Sequence, residues 1–309
     1  MNFTAQDVKE LREKTGVGMM KCKQALAEAD GDMDKAIDIL REQGAAVSAK
    51  KASRAAAEGA VLAYTDEAKN VSVLIEVNAE TDFVGKNEKF QSFVLDCAKT
   101  VAEGNPADVE ALEAMNLAGS DRSVKDNLQD LILSIGENMK IRRFERVEGV
   151  CATYIHMGGA VGVLVSFDAD AALADTDEFK TMGKDVAMQV AAMSPLYLNP
   201  EAVPADVLAH EKEIMIAQMK EDPKMANKPE QVLAKIVEGK IGKYYKENCL
   251  LQQEFVKAEN HEDVEKYVTS VAKKLGGSIK VTGFIRYAKG EGLEKKQDDF
   301  AAEIASLVK

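Results

Sequence analysis

The chain repeats itself. Glu58-Gly59 through Tyr64 matches Glu148-Gly149 through Tyr154 at a spacing of 90, and the same spacing maps Val71, Val73 and Leu74 onto Val161, Val163 and Leu164. After one deletion the spacing is 89: Phe90 maps onto Phe179, Asp96 onto Asp185, and Ala98, Val101 and Ala102 onto Ala187, Val190 and Ala191. Each copy reads as strand, turn, strand, then a stretch of helical period. Repeat arrays build their core from three or more units, so a pair of copies points to one duplication. The expected fold is α+β, with two related core subdomains of antiparallel strands.

The flanking segments read as helical. In residues 1–45, Thr4 can cap a first helix carrying Val8, Leu11 and Arg12. Thr15-Gly16-Val17-Gly18 breaks it, Met19, Met20, Cys22, Leu26 and Ala29 form a second, and Ile37, Ile39 and Leu40 a third. Such a three-helix bundle resembles ubiquitin-associated domains and is small enough to be marginal alone. Residues 46–57, with Lys50, Lys51 and Arg54 and no large apolar side chain, read as a linker, in part helical. Core subdomain 1 is then expected over 58–147, with helices at 109–117 and 124–143. Core subdomain 2 is expected over 148–289. It contains an inserted helical hairpin at about 200–248, carrying Leu208, Ile214, Met215 and Met219 on one arm and Val232, Leu233, Ile236, Val237, Ile241 and Tyr244 on the other. Pro195, Pro200 and Pro204 set the hairpin apart, and it can form an antiparallel coiled coil. A late strand at 278–287 and a C-terminal helical module at 290–309, with its helix at 298–308, complete the reading.

Charge and residue inventory exclude several functions. Lys and Arg number 40 against 52 Asp and Glu, a net charge of −12, whereas a general nucleic-acid binder needs clustered cations for phosphate contacts. The apolar runs at 71–77 and 161–167 are too short to span a bilayer. The first residues, MNFTAQDVKELREK, lack the apolar stretch of a secretory signal. Cys22, Cys97, Cys151 and Cys249 form no CxxC pair, which suits reduced thiols and a cytoplasmic protein. His156, His210 and His261 are isolated, and no GxSxG, HExxH or GxxxxGK[ST] occurs. The expectation is a protein-binding protein and not an enzyme. Scattered carboxylates such as Glu76, Glu80 and Asp82 could share a perturbed pKa, but no nucleophile or ligand set accompanies them.

The copies differ most just after their second strand. The first has Ala79-Glu80-Thr81-Asp82-Phe83-Val84-Gly85-Lys86-Asn87, where the second has only the Ala- and Asp-rich stretch 169–175. An Asp-Phe pair is unusual in a connection that favours small polar residues. Asp82 can cap the next helix with Phe83 stapled to the core; alternatively, Phe83 is an exposed aromatic wedge whose loss costs binding and not stability.

Several long motifs resemble the elongation factor Ts family of bacteria: residues 11–26 (LREKTGVGMMKCKQAL), 76–84 (EVNAETDFV), Ile135-Gly136-Glu137-Asn138, His156 with Gly158-Gly159, and Asp185-Val186-Ala187-Met188-Gln189. The resemblance covers essentially the full chain. It implies guanine-nucleotide exchange on elongation factor Tu, with no cofactor, no metal and no active site. It further implies that Thr81, Asp82, Phe83 and Val84 displace the GTPase's magnesium, Phe83 entering between its helices. By the same resemblance Leu11, Arg12, Met19, Met20 and Lys23 grip the GTPase domain. Ile135 and Gly136 are further contacts, His156 lies near the partner's C-terminal domain, and the hairpin is the family's coiled-coil or dimerisation module. Read from the residues alone, Leu11 and one of the two methionines belong to the bundle core, and Ile135 to a helix core. The second turn lacks a basic residue after its glycines, a departure from the family pattern that bears on His156. A homodimer through the hairpin is one arrangement left open. The alternative function is an adaptor or chaperone-like module that binds without driving exchange.

Overall fold

The computed structural model describes residues 2–221, 228–258 and 260–294; the helix expected at 298–308 lies outside them. These residues fall into two compact units. The first comprises the chain up to residue 147 together with 155–162 and residues from 287 onward. The second comprises 148–154 and 163–286.

The first unit begins with α1 (Ala5–Thr15), α2 (Met19–Glu28) and α3 (Met33–Lys51). Thr4 and Asp7 close a reciprocal capping box on α1, and Gly16 ends it in the left-handed conformation that glycine adopts freely. Asp32 caps α3 by accepting from the backbone of Asp34 and Lys35. Leu11, Cys22, Leu26, Ala36 and Leu40 form the bundle core, joined by Leu133 from a later helix. That borrowed side chain answers the marginal size of the bundle. The helix α3 runs on to Lys51, so the helical part of the linker at 46–57 is its first half.

Strand β1 (Glu58–Asp66) pairs antiparallel with β2 (Val71–Ala79), in register from Glu58 opposite Ala79 to Asp66 opposite Val71. Every residue of β2 is buried, the polar Ser72, Glu76 and Asn78 among them. Behind it come α4 (Asp82–Gly85), α5 (Glu88–Gly104), α6 (Val109–Ala114) and α7 (Val124–Ile135). Phe90, Val94, Cys97, Ala98 and Val101 on α5 and Leu128 and Ile132 on α7 pack into one core with β2. The helix expected over 124–143 stops at Ile135, where Gly136 takes φ 89. Residues Met139–Glu148 instead form β3, third in a sheet ordered β1-β2-β3. The period changes from 3.6 to 2 at that glycine: Met139 and Ile141 are buried and Lys140 is exposed.

The second copy follows the same plan. Strands β4 (Val150–His156) and β5 (Val161–Ala169), short α8 (Ala171–Ala174) and α9 (Asp177–Met193) repeat the first half. The duplication also reaches further than its sequence signal. Helix α12 (Val264–Leu275), ended by left-handed Gly276, and β6 (Ile279–Ala288) repeat α7, Gly136 and β3 at a spacing of 140. The wider spacing holds α10 (Ala205–Glu221) and α11 (Glu230–Asn248), the inserted helical hairpin. Its arms meet through Met219, Leu233, Val237 and Ile241, with Leu208, Met215 and Ile216 alongside.

Candidate functional site

The connection from β2 to α5 is built to hold one large apolar side chain outward. Val84 is buried, as is Gly85, and a Cβ on Gly85 would overlap the carbonyl oxygen of Gly59 in β1. Asn87 then caps α5 by accepting from Lys89 and Phe90 N–H, and the Gln91 amide donates to Gly85 O. With α4 pinned on that side, Phe83 faces away and is 79% exposed. The core-staple alternative for Phe83 is therefore overturned, and Val84 takes that place. Asp82 is exposed too and pairs with Lys86 at 2.8 Å. The Lys86 hydrogen bond holds the Asp82 carboxyl below its ordinary value and raises the Lys86 ammonium in turn. Asp82 caps nothing; the N-cap of α4 is Thr81.

Two motifs far apart in sequence meet at this cap. Glu137 accepts the Thr81 backbone N–H at 2.9 Å and its hydroxyl at 2.8 Å. Glu80 accepts the Asn138 backbone N–H at 2.6 Å and faces the Arg54 guanidinium at 3.4 Å. The Asn138 side chain donates to Arg54 O at 2.8 Å, and Lys51 donates to Gly136 O. Two carboxylates, one from each turn, thus bind the β2–α4 connection to the α7–β3 turn with charge-assisted bonds. Ile135 is half-buried beside the core and Gly136 is exposed.

The bundle residues divide. Leu11, which the resemblance places at a partner contact, is instead wholly buried in the bundle core. Arg12 and Lys23 are exposed. Met19 and Met20 are 52% and 77% exposed, and neither is a core residue. Gly18, the N-cap of α2, turns the chain so that Cys22, Ala25 and Leu26 face inward instead. Lys89 at the start of α5 reaches Gly16 O at 3.4 Å, which sets the turn before Met19 alongside the helix that follows Phe83.

The turn between β4 and β5 rests on β1. Val61 N–H donates to Gly159 O at 2.9 Å, and Gly158 and Gly159 both take positive φ. His156 and its neighbour Met157 project outward, Met157 with 79% of its surface exposed. Sequence reasoning passed over Met157; its signal is a large apolar residue before a Gly-Gly turn. Among the described residues no group of three or more His, Cys, Asp or Glu could hold a metal ion, and no helix is long and apolar enough to cross a membrane.

The fold is that of an α+β protein made from a duplicated strand–strand–helix element, with Met19, Met20, Phe83 and Met157 exposed on its first unit. Residues 80–291 match the family described as Elongation factor TS. The chain is 45% identical to Elongation factor Ts of Magnetococcus marinus, covering all of this chain and 99% of the relative. It is 45% identical to that of Syntrophotalea carbinolica, covering both chains fully, and 47% identical to that of Trichlorobacter lovleyi, covering 99% of this chain and 98% of the relative. The chain belongs to the elongation factor Ts family.

Proposed function

We propose that this protein is a guanine-nucleotide exchange factor: it binds elongation factor Tu with GDP and speeds GDP release without making or breaking bonds. One observation carries the reading: Phe83 stands 79% exposed between an exposed Asp82 and a buried Val84, on a turn anchored from both sides. A free aromatic side chain on a rigid mount fits insertion into a partner, since little conformational freedom is lost when it docks. A nucleotide is held by its magnesium ion and the phosphate loop, so displacing their supports weakens GDP binding. In this mechanism Asp82 and Phe83 enter the partner, displacing its magnesium, while Thr81 and Val84 hold them in place.

Weakening GDP binding about 10⁴-fold takes roughly 5.5 kcal/mol of differential binding to the nucleotide-free partner, more than one Phe supplies. Arg12, Met19, Met20, Lys23, Ile135, Gly136 and His156 provide the rest of a multi-site interface, with adaptable methionines as contacts. We assign the bundle to the ubiquitin-associated type and the hairpin to a coiled-coil module able to pair with a second copy. The protein needs no cofactor, nucleic acid or membrane and works in the cytoplasm.

The test is stopped-flow release of a fluorescent GDP analogue from elongation factor Tu. Substoichiometric protein should speed release strongly. Folded Phe83→Ala should lose about 30-fold or more of that effect, the size of an interface hot spot. Binding without any change in release rate would instead favour the adaptor reading.

A further inference from the structure

We propose that Glu137 is a positioning residue for the Asp82–Phe83 segment, acting through Thr81; this rests on the exchange reading above. The cap of α4 is the starting point. Thr81 has the extended backbone of an N-cap, φ −128 and ψ 158, yet its side chain makes no cap bond to the helix. A threonine here ordinarily turns its hydroxyl oxygen onto the N–H of the second or third helical residue. In this protein that hydroxyl is donated to Glu137 Oε1, while the Thr81 N–H is donated to Oε2 of the same carboxylate. A helix of four residues has almost no internal hydrogen bonding to set its direction. Its direction is set by what grips it: Val84 and Gly85 at one end, Glu137 at the other. Two parallel bonds into one carboxylate fix orientation as well as position.

The second copy provides an internal control. At the spacing of 140 that relates α7 to α12 and Gly136 to Gly276, the counterpart of Glu137 is Gly277. A Cβ at Gly277 would overlap the Leu173 side chain of α8, so an apolar contact replaces the carboxylate grip. At the spacing of 89 the counterpart of Phe83 is Ala172. The copy without a large side chain to aim is also the copy without the carboxylate. The anchoring turn is itself stiff: Gly136 closes α7 by donating to Ile132 O at 2.9 Å, and Asn138 is tied to both Glu80 and Arg54. Glu137 is half-buried, which suits a support beneath the segment.

The experiment compares full-length wild type, Glu137→Ala and Glu137→Gln by amide hydrogen exchange in the free protein, and by GDP release from elongation factor Tu across a concentration series. In Glu137→Ala the Thr81 amide should exchange at least about tenfold faster, the loss of a bond to a charged group, with β2 and α5 amides unchanged. The release rate at saturating protein should fall about tenfold, while the half-saturating concentration should change by less than about threefold, since the rigid surfaces that give affinity stay in place. Glu137→Gln, which keeps an acceptor oxygen, should lie between. Unchanged Thr81 protection in Glu137→Ala overturns the proposal. So does lost protection with a wild-type saturating rate, and so does a change confined to the half-saturating concentration, which marks a contact residue. If Glu137→Ala fails to fold, Thr81→Val removes only the hydroxyl arm and carries the same expectations at smaller size. A wild type that leaves GDP release unchanged brings down the exchange reading and the positioning role with it. The two failures are told apart because hydrogen exchange needs no partner.

Discussion

Gly85 packs directly on the backbone of Gly59: a Cβ on Gly85 would overlap Gly59 O, while Gly59 itself, at φ 105, is closed in by Val77 O on the neighbouring strand. This contact seats α4 on the start of β1. Gly85→Ala should therefore cost about 2 kcal/mol by overpacking and displace Phe83 along with the helix. Gly239→Ala in α11, where nothing lies within 4 Å, is the control; it should stabilise by up to about 1 kcal/mol through helix propensity. Urea unfolding of the two variants checks both signs.

Phe83 and Phe90 are the same residue type seven positions apart, with opposite energetic roles. Phe90 is fully buried in the core under β2, so Phe90→Ala should lose about 3 to 5 kcal/mol. Phe83→Ala should change stability by no more than about 0.5 kcal/mol. If thermal unfolding shows Phe83→Ala to be as damaging as Phe90→Ala, the outward placement of Phe83 is wrong.

The same contrast divides the bundle. Leu11→Ala should cost about 2 to 5 kcal/mol, because Leu11 has no exposed surface and its cavity borders Leu26 and Leu40. Met20→Ala should leave stability within about 0.5 kcal/mol and weaken binding to elongation factor Tu. Calorimetric melting and a titration of the complex read the two effects separately.

What could be read in the sequence was whatever repeats or alternates. The duplication shows as matches at spacings of 90 and 89, and the long helices carry a period of 3.6. Strand β3 was missed because the apolar stripe of α7 continues plausibly through Met139 and Ile141; only the left-handed Gly136 separates the two periods. The outward direction of Phe83 was undecidable, because it depends on a backbone approach between Gly85 and Gly59 that lie 26 positions apart. Glu137 stood in a quoted motif without a role, since its partner Thr81 is 56 residues away. Long-range contacts between polar residues leave no period to read.

Glu76 ties β2 to β3 and to the chain beyond β6. Fully buried, it accepts from Arg143 at 2.7 Å, Arg142 at 3.1 Å, Asn78 at 3.0 Å and the Gly290 N–H at 2.8 Å. Burial pushes its carboxyl up, but the bonds from Asn78, Gly290 and Arg143 outweigh this and hold it below the ordinary 4.5. A folded value below the unfolded one means the contribution is complete above about pH 5 and is lost as pH falls through the folded value. Glu76→Gln should cost about 3 kcal/mol at pH 7. The gap to wild type should narrow on acidification, which urea midpoints measured between pH 7 and 3 will show.

The hairpin should be the least protected region of the second unit. Its buried contacts are Met219, Leu233, Val237 and Ile241, a cluster of its own, whereas α9 buries Phe179, Met182, Val186 and Val190, sets Phe179 edge-on to Phe167 of β5, and carries Gln189, bonded to Gln253 and to the backbone of Glu254 and Val256. Local opening costs less where fewer apolar side chains must be exposed. Val237→Ala removes two methyl groups from the smaller cluster and should cost about 1 to 2 kcal/mol of local stability. Native-state hydrogen exchange should then show α10 and α11 amides exchanging roughly tenfold or more faster, with α9 and β5 unchanged. Equal acceleration in α9 would mean that the hairpin and the strand–helix core open together, and that the insertion is part of one cooperative unit.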